Sequence, residues 1–109
     1  MQPLRPQKSL TEMYLEASHA AITLATRCEY AQEDAKDPTD KNTARDMSVR
    51  CKRFADKAQK AANKILLFRD EGSLKVYAER FDAVFKQFVE FAVEAESVLT
   101  EIESKVQQS

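Results

Sequence analysis

Residues 73–107 read SLKVYAERFDAVFKQFVEFAVEAESVLTEIESKVQ. The apolar positions of this stretch decide the fold. Leu74, Ala78, Phe81, Phe85, Phe88, Ala92, Ala95, Leu99, Ile102 and Val106 follow one another in alternating steps of four and three. That spacing keeps one side of an α-helix apolar along its whole length, and no strand has such a period. No Pro or Gly falls inside the stretch. A long helix with a heptad stripe needs partners of the same kind to cover it.

The rest of the chain supplies two. Leu10, Tyr14, Ala17, Ala21, Leu24, Cys28 and Ala31 form one stripe of the same spacing. Ala44, Met47, Cys51, Phe54, Ala58, Ala61, Ile65 and Phe68 form the other. Helix ends fall where turn chemistry sits. Ser9 with Glu12 has the capping-box spacing and predicts the start of helix 1. Asp37-Pro38 ends it, because the residue before proline is driven out of the α region. Thr39 or Asp40 is expected to cap helix 2. Gly72 is expected to close that helix in the left-handed conformation, with Ser73 capping helix 3. The predicted helices cover about 10–36, 40–70 and 73–107, within one domain over 9–109 and behind a disordered tail over 1–8.

Folding the chain at its two turns brings the stripes level. Cys28 then faces Cys51, Leu24 faces Phe54, Tyr14 faces Ile65 and Phe54 faces Phe88. Ala58 and Ala61 of helix 2 face Phe85 and Phe81 of helix 3, the alternation of small and large that fills a core. The fold class expected is all-α: an antiparallel up-down-up bundle of three long helices, which a second copy could complete.

Composition agrees. A chain of 109 residues holds one domain with its own core. One Gly and three Pro are too few for the turns of a β-protein. The net charge of −1 fits neither a basic nucleic-acid binder nor an acidic DNA mimic. Charge is nevertheless sorted. Residues 40–70 carry nine Lys and Arg against four Asp, whereas residues 71–109 carry four against eight acids. No apolar run is long enough to span a membrane, and residues 1–6 hold no apolar stretch of the signal-peptide kind, so a cytoplasmic location is expected. Two cysteines there are expected to stay reduced.

Two features exceed what three stripes need. Tyr77, Val84, Phe91 and Val98 recur every seven residues beside the main stripe of helix 3, and Leu15 and Ile22 do the same on helix 1. They either widen the core faces or form a contact surface for a protein partner or a second copy. Arg50, Arg53, Lys57, Lys60 and Lys64 form a basic row on helix 2. The row is either a solvated face, balanced by Asp46, Asp56, Glu90, Glu94 and Glu101, or a track for phosphates or an acidic partner.

Catalytic and metal chemistry find little to stand on. His19 is the only histidine, so neither a zinc site nor a di-iron pair of Glu-x-x-His motifs can be built around it and Glu16. Cys28 and Cys51, with Met13 or Met47 near, read as core residues rather than a redox or soft-metal site. A chain with one Gly has no glycine-rich phosphate loop. Glu29, Glu33 and Asp34 cluster at a helix end without a pocket to shift their pKa values. No cofactor is expected, and no family signature is legible.

The function expected is therefore contact, not catalysis. The leading reading is a small regulatory protein of the inhibitor or antiactivator kind, which docks a helix face on a protein target and blocks one of its interfaces. Its contact residues would be Leu15, Ile22, Tyr77, Val84, Phe91 and Val98, with the basic row steering encounter. A homodimer is expected beside it. The alternatives are a nucleic-acid-associated protein using the basic row, and a structural homodimer subunit.

Overall fold

A computed structural model describes residues 6–108, which form three α-helices and, within that span, no strand. Helix α1 spans Pro6–Asp34, α2 spans Pro38–Ile65 and α3 spans Glu71–Gln108. The rod they make measures 56 × 27 × 18 Å. Cross-links fix its topology. The Ser18 hydroxyl of α1 donates to the Ala55 carbonyl of α2 at 2.9 Å, and Glu29 pairs with Lys52, so α1 and α2 run antiparallel. Lys105 near the end of α3 reaches Asp40 at the start of α2 at 3.3 Å. The bundle is therefore up-down-up, as the three stripes require.

The helix ends differ from their expected positions. Helix α1 already begins at Pro6, ahead of Ser9, and proline suits a first turn because the amide it lacks would have no helical partner there. Residues 1–5 of the tail expected to be disordered lie outside the described residues. Asp37, not Thr39 or Asp40, caps α2. Its backbone is extended (φ −78°, ψ 125°), as a pre-proline residue must be, and its carboxylate accepts from the Thr39 amide at 2.8 Å. Helix α2 closes at Ile65 with tight bonds from the Leu67 amide to Lys64 (2.9 Å) and from the Phe68 amide to Ile65 (3.2 Å). Gly72 does not take a left-handed conformation, and it lies in the first turn of α3. Asp70 caps that helix, accepting from the Ser73 amide at 2.8 Å and from the Ser73 hydroxyl at 3.0 Å. Asp and Ser cap about equally well, but the folded turn sets the Asp70 carboxylate on the Ser73 amide, where its charge also suits the helix dipole, so the cap lies three residues back.

Small residues determine how the helices pack. Ala17, Ala21, Ala25 and Ala31 of α1 are buried, as are Ala35 in the turn after it and Ala44, Ala55, Ala58 and Ala62 of α2. These two helices lie tightly together, whereas α3 packs less closely on both. Phenylalanines hold it off. Phe81 and Phe88 fill the seam below α3, and Phe88 stacks on Phe54 of α2 with centroids 4.3 Å apart. Helix α2 consequently buries two faces. Ser48, Ala55 and Ala62 turn to α1, while Phe54 and Ala61 turn toward α3 and stay half-buried. The core divides into two clusters. Leu10, Tyr14, Ile65 and Phe81 centre one, and Leu24, Cys28, Cys51, Leu99 and Ile102 centre the other.

Polar ties cross the seams. Arg27 of α1 grips Glu103 of α3 with two bonds of 2.7 and 3.1 Å, a fork that matches the carboxylate. The Tyr14 hydroxyl donates to the Tyr77 carbonyl at 2.7 Å. Lys41 donates to the Gln32 and Glu33 carbonyls at the end of α1, where a cation suits the helix dipole.

These groups give stability a pH dependence. Burial pushes the Tyr14 hydroxyl above its usual 10.0. A hydrogen bond to Cys28, then burial, pushes the Cys51 thiol above its usual 9.0. Tyr14 holds its proton longer when folded, so its contribution is complete below about pH 9 and is lost as pH climbs beyond it. The paired thiols shift in opposite directions, Cys51 up and Cys28 down, and offset each other. The Glu103 carboxyl is held low by Arg27 and the Glu29 carboxyl by Lys52, so their contribution is present at neutral pH and lost as pH falls through the carboxylate range. The expected melting temperature is level between about pH 5 and 9 and falls on both sides. Tyr14→Phe should soften the alkaline fall. A melting temperature that held steady from neutrality to about pH 11 would contradict this assignment.

Candidate functional site, a basic-rimmed groove

Because α3 stands off from α2, a groove runs between them. Its lower part, about 310 Å³, lies between Lys57, Lys60, Lys64 and Ala61 of α2 and Tyr77, Arg80 and Val84 of α3. Its upper part, about 300 Å³, lies between Arg50 and Arg53 of α2 and Val84, Gln87 and Phe91 of α3. The two parts share Phe54, Lys57 and Val84, so they form one continuous trough. The floor is aromatic and aliphatic. The α2 lip carries all five residues of the basic row, and Arg80 adds a cation from α3.

The sequence presented the basic row and the apolar row as separate features, and the structure puts them on one groove. Each cation is exposed. Lys60 pairs with Asp56 one turn back at 2.9 Å. The Arg50 guanidinium lies over the Phe91 ring, 4.2 Å from its centroid. Arg53, Lys57 and Lys64 have no ion-pair partner among the described residues. The expected balancing acids Glu90, Glu94 and Glu101 make no ion pair with the row among those residues either, and Asp46 pairs with Arg45 at 3.9 Å instead.

The apolar candidates divide. Tyr77, Val84 and Phe91 line the groove. Val84 is 39% exposed, whereas Tyr77 and Phe91 are half-buried and pack on the two core clusters. Val98 is half-buried against the upper cluster and lies beyond the groove. Leu15 and Ile22 are exposed on α1 and line neither part of the groove. Sequence reasoning missed several groove residues. Phe85, assigned to the core stripe, is 37% exposed and lines both this groove and a second one beside Met13 and Ala17 of α1. Phe54 was likewise placed in the core. Arg80 sits one turn from both Tyr77 and Val84, a spacing that could have flagged it.

One face of each ring in the groove is already taken, although Phe85 stays partly bare. Phe54 and Phe88 stack on each other, and Phe81 and Phe85 stack at 5.2 Å. Arg50 covers Phe91, and Arg80 lies 5.2 Å over Tyr77.

Elsewhere, Cys28 and Cys51 are fully buried free thiols joined by a hydrogen bond. Buried thiols in apolar surroundings are inert nucleophiles. His19 is exposed, and its carbonyl accepts from the Thr23 hydroxyl at 3.0 Å. Glu29 is engaged by Lys52 and by the Ser48 hydroxyl. Among the described residues, no three His, Cys, Asp or Glu side chains converge to hold a metal ion. No helix among them is long and apolar enough to cross a membrane. No protein-family model, no curated protein and no solved structure matches this chain.

Proposed function

We propose that this chain is a small non-enzymatic regulatory protein, which docks its α2–α3 groove on a protein target and so blocks or displaces one of that target's interfaces. One observation carries the reading: the basic row and the surplus apolar row line a single trough on rigid helices. An apolar floor supplies affinity, and a charged rim supplies steering and selectivity. Tyr77, Val84, Phe91 and the basic row remain the contact residues of this reading. It no longer rests on Leu15, Ile22 or Val98, which lie apart from the groove. A cytoplasmic setting fits the two reduced thiols.

Capture of partners from the native cell extract tests the reading, with and without nuclease. A stoichiometric protein partner that survives nuclease is expected, and Val84→Asp should weaken its binding by about tenfold, because dehydrating a carboxylate on the apolar floor is costly even with cations on the rim. Val84 is exposed enough for that variant to fold. Binding indifferent to Val84→Asp would remove the groove from the function. Recovery of nucleic acid, with co-purified proteins lost after nuclease, would move the function to the basic row alone. Recovery of this chain alone, with sedimentation that depends on concentration, would favour a structural dimer.

A further inference from the structure

Charge and shape limit what fits the trough. From Arg50 to Lys64 the basic lip extends about 21 Å, at about 1.5 Å per residue. That is the length of about four helical turns. Across from it, Tyr77, Val84 and Phe91 are spaced one heptad apart, so they set three levels of apolar contact. An approaching helix presents side chains at the same repeat. In effect, the three-helix bundle leaves room for a fourth helix along this seam, because the phenylalanines hold α3 away from α2.

The lip decides which helix. Arg53, Lys57 and Lys64 lack ion-pair partners among the described residues, and any occupant lying against them removes part of their hydration. Cations brought together and dehydrated without countercharge are costly, so the occupant must bring carboxylates to that edge. We propose that the groove takes an acidic amphipathic helix of about four turns, carried by the target protein. This rests on the docking reading and names the chemistry of its partner.

Two other occupants fit less well. Single-stranded nucleic acid binds by stacking bases on open aromatic faces. Here one face of each ring is already taken, Phe54 by Phe88, Phe81 by Phe85, Phe91 by Arg50 and Tyr77 by Arg80, which leaves Phe85 the most exposed ring of the groove. A second copy placed antiparallel across the groove would set the two basic rows side by side.

The test uses the full chain and three labelled helical peptides of about 18 residues, followed by fluorescence anisotropy. The first carries Leu at the heptad core positions and Glu beside them. The second exchanges Glu for Lys, and the third exchanges Leu for Ser. An oligothymidylate of similar length is the fourth probe. The acidic amphipathic peptide is expected to bind at least tenfold tighter than each of the others, and to weaken as salt is raised. The triple reversal Arg53→Glu, Lys57→Glu, Lys64→Glu alters exposed positions only, so helicity by circular dichroism should be unchanged. It should reverse the order of the acidic and basic peptides. Val84→Asp should weaken the acidic peptide by about tenfold. Equal binding of acidic and basic peptides, tighter binding of the oligothymidylate, no binding of any peptide, or indifference to the reversal would each overturn the proposal. The native target separates this failure from that of the docking reading. Capture lost with Val84→Asp but untouched by the reversal would leave the docking site standing and remove the acidic helix. Capture untouched by Val84→Asp would remove the docking site itself.

Discussion

Leu99→Ala is expected to destabilise the protein by about 2–5 kcal/mol, the range for emptying a sealed core site. Leu99 has no exposed surface and packs in the upper cluster with Ala95, Ile102 and Cys28. The cost depends on whether neighbours can collapse into the space. Here they are restrained. The Arg27–Glu103 fork pins α3 to α1 one turn further along, and Lys105 holds it to Asp40 of α2. The cavity should stay open and the cost should fall in the upper part of the range. At about 4–8 °C per kcal/mol for a domain near this size, the melting temperature should drop by at least about 10 °C. Val93→Ala is the control. Val93 is 64% exposed on the same helix, and its removal should cost no more than about 0.5 kcal/mol. Thermal melts of both variants decide the matter. A drop of only a few degrees for Leu99→Ala would mean that α3 is not seated as described.

The second large effect concerns the opposite error, too much volume. Ala21→Leu is expected to cost about 1–3 kcal/mol, although it adds apolar surface and keeps helix propensity high. Ala21 is fully buried in the close contact between α1 and α2. A leucine there must push the helices apart or leave its rotamer. Separation would also strain the Ser18 to Ala55 bond, which crosses the same contact at 2.9 Å. Ala20→Leu, one position round on an exposed site, should be nearly neutral. If both variants proved equally stable in urea titrations, the alanines would not be setting the helix spacing.

Much of this arrangement was legible in the sequence. The three heptad stripes gave the helices, their antiparallel order and the level of contact, and Cys28 does meet Cys51 while Phe54 does meet Phe88. The ends were less legible, because several side chains near each turn could cap. Asp37 and Asp70 won over Thr39, Asp40 and Ser73 through geometry that only the folded turn defines. The middle of α2 was misread in a different way. Ala55 and Ala62 carry too little hydrophobicity to stand out as a stripe, yet they are buried on the helix that packs tightest against α1. That closeness is also why Phe85 is left partly bare: α3 cannot follow α2 into so tight a seam. The groove was therefore present in the sequence only as two lists, one apolar and one basic. Joining them needed the standoff of α3, which depends on residue sizes summed over three helices.

The short turn between α1 and α2 has a kinetic consequence. Only residues 35–37 separate the two helices, and Asp37 and Pro38 already favour the conformation that starts α2. Closing so small a loop loses little chain entropy, and the alanine contacts that follow join residues near in sequence before distant ones. Helix α3 must instead meet α1 across the length of α2, as Arg27 and Glu103 do. The order of assembly this implies is a hairpin first and α3 second. A topology dominated by such local contacts belongs to the class that folds in microseconds to milliseconds.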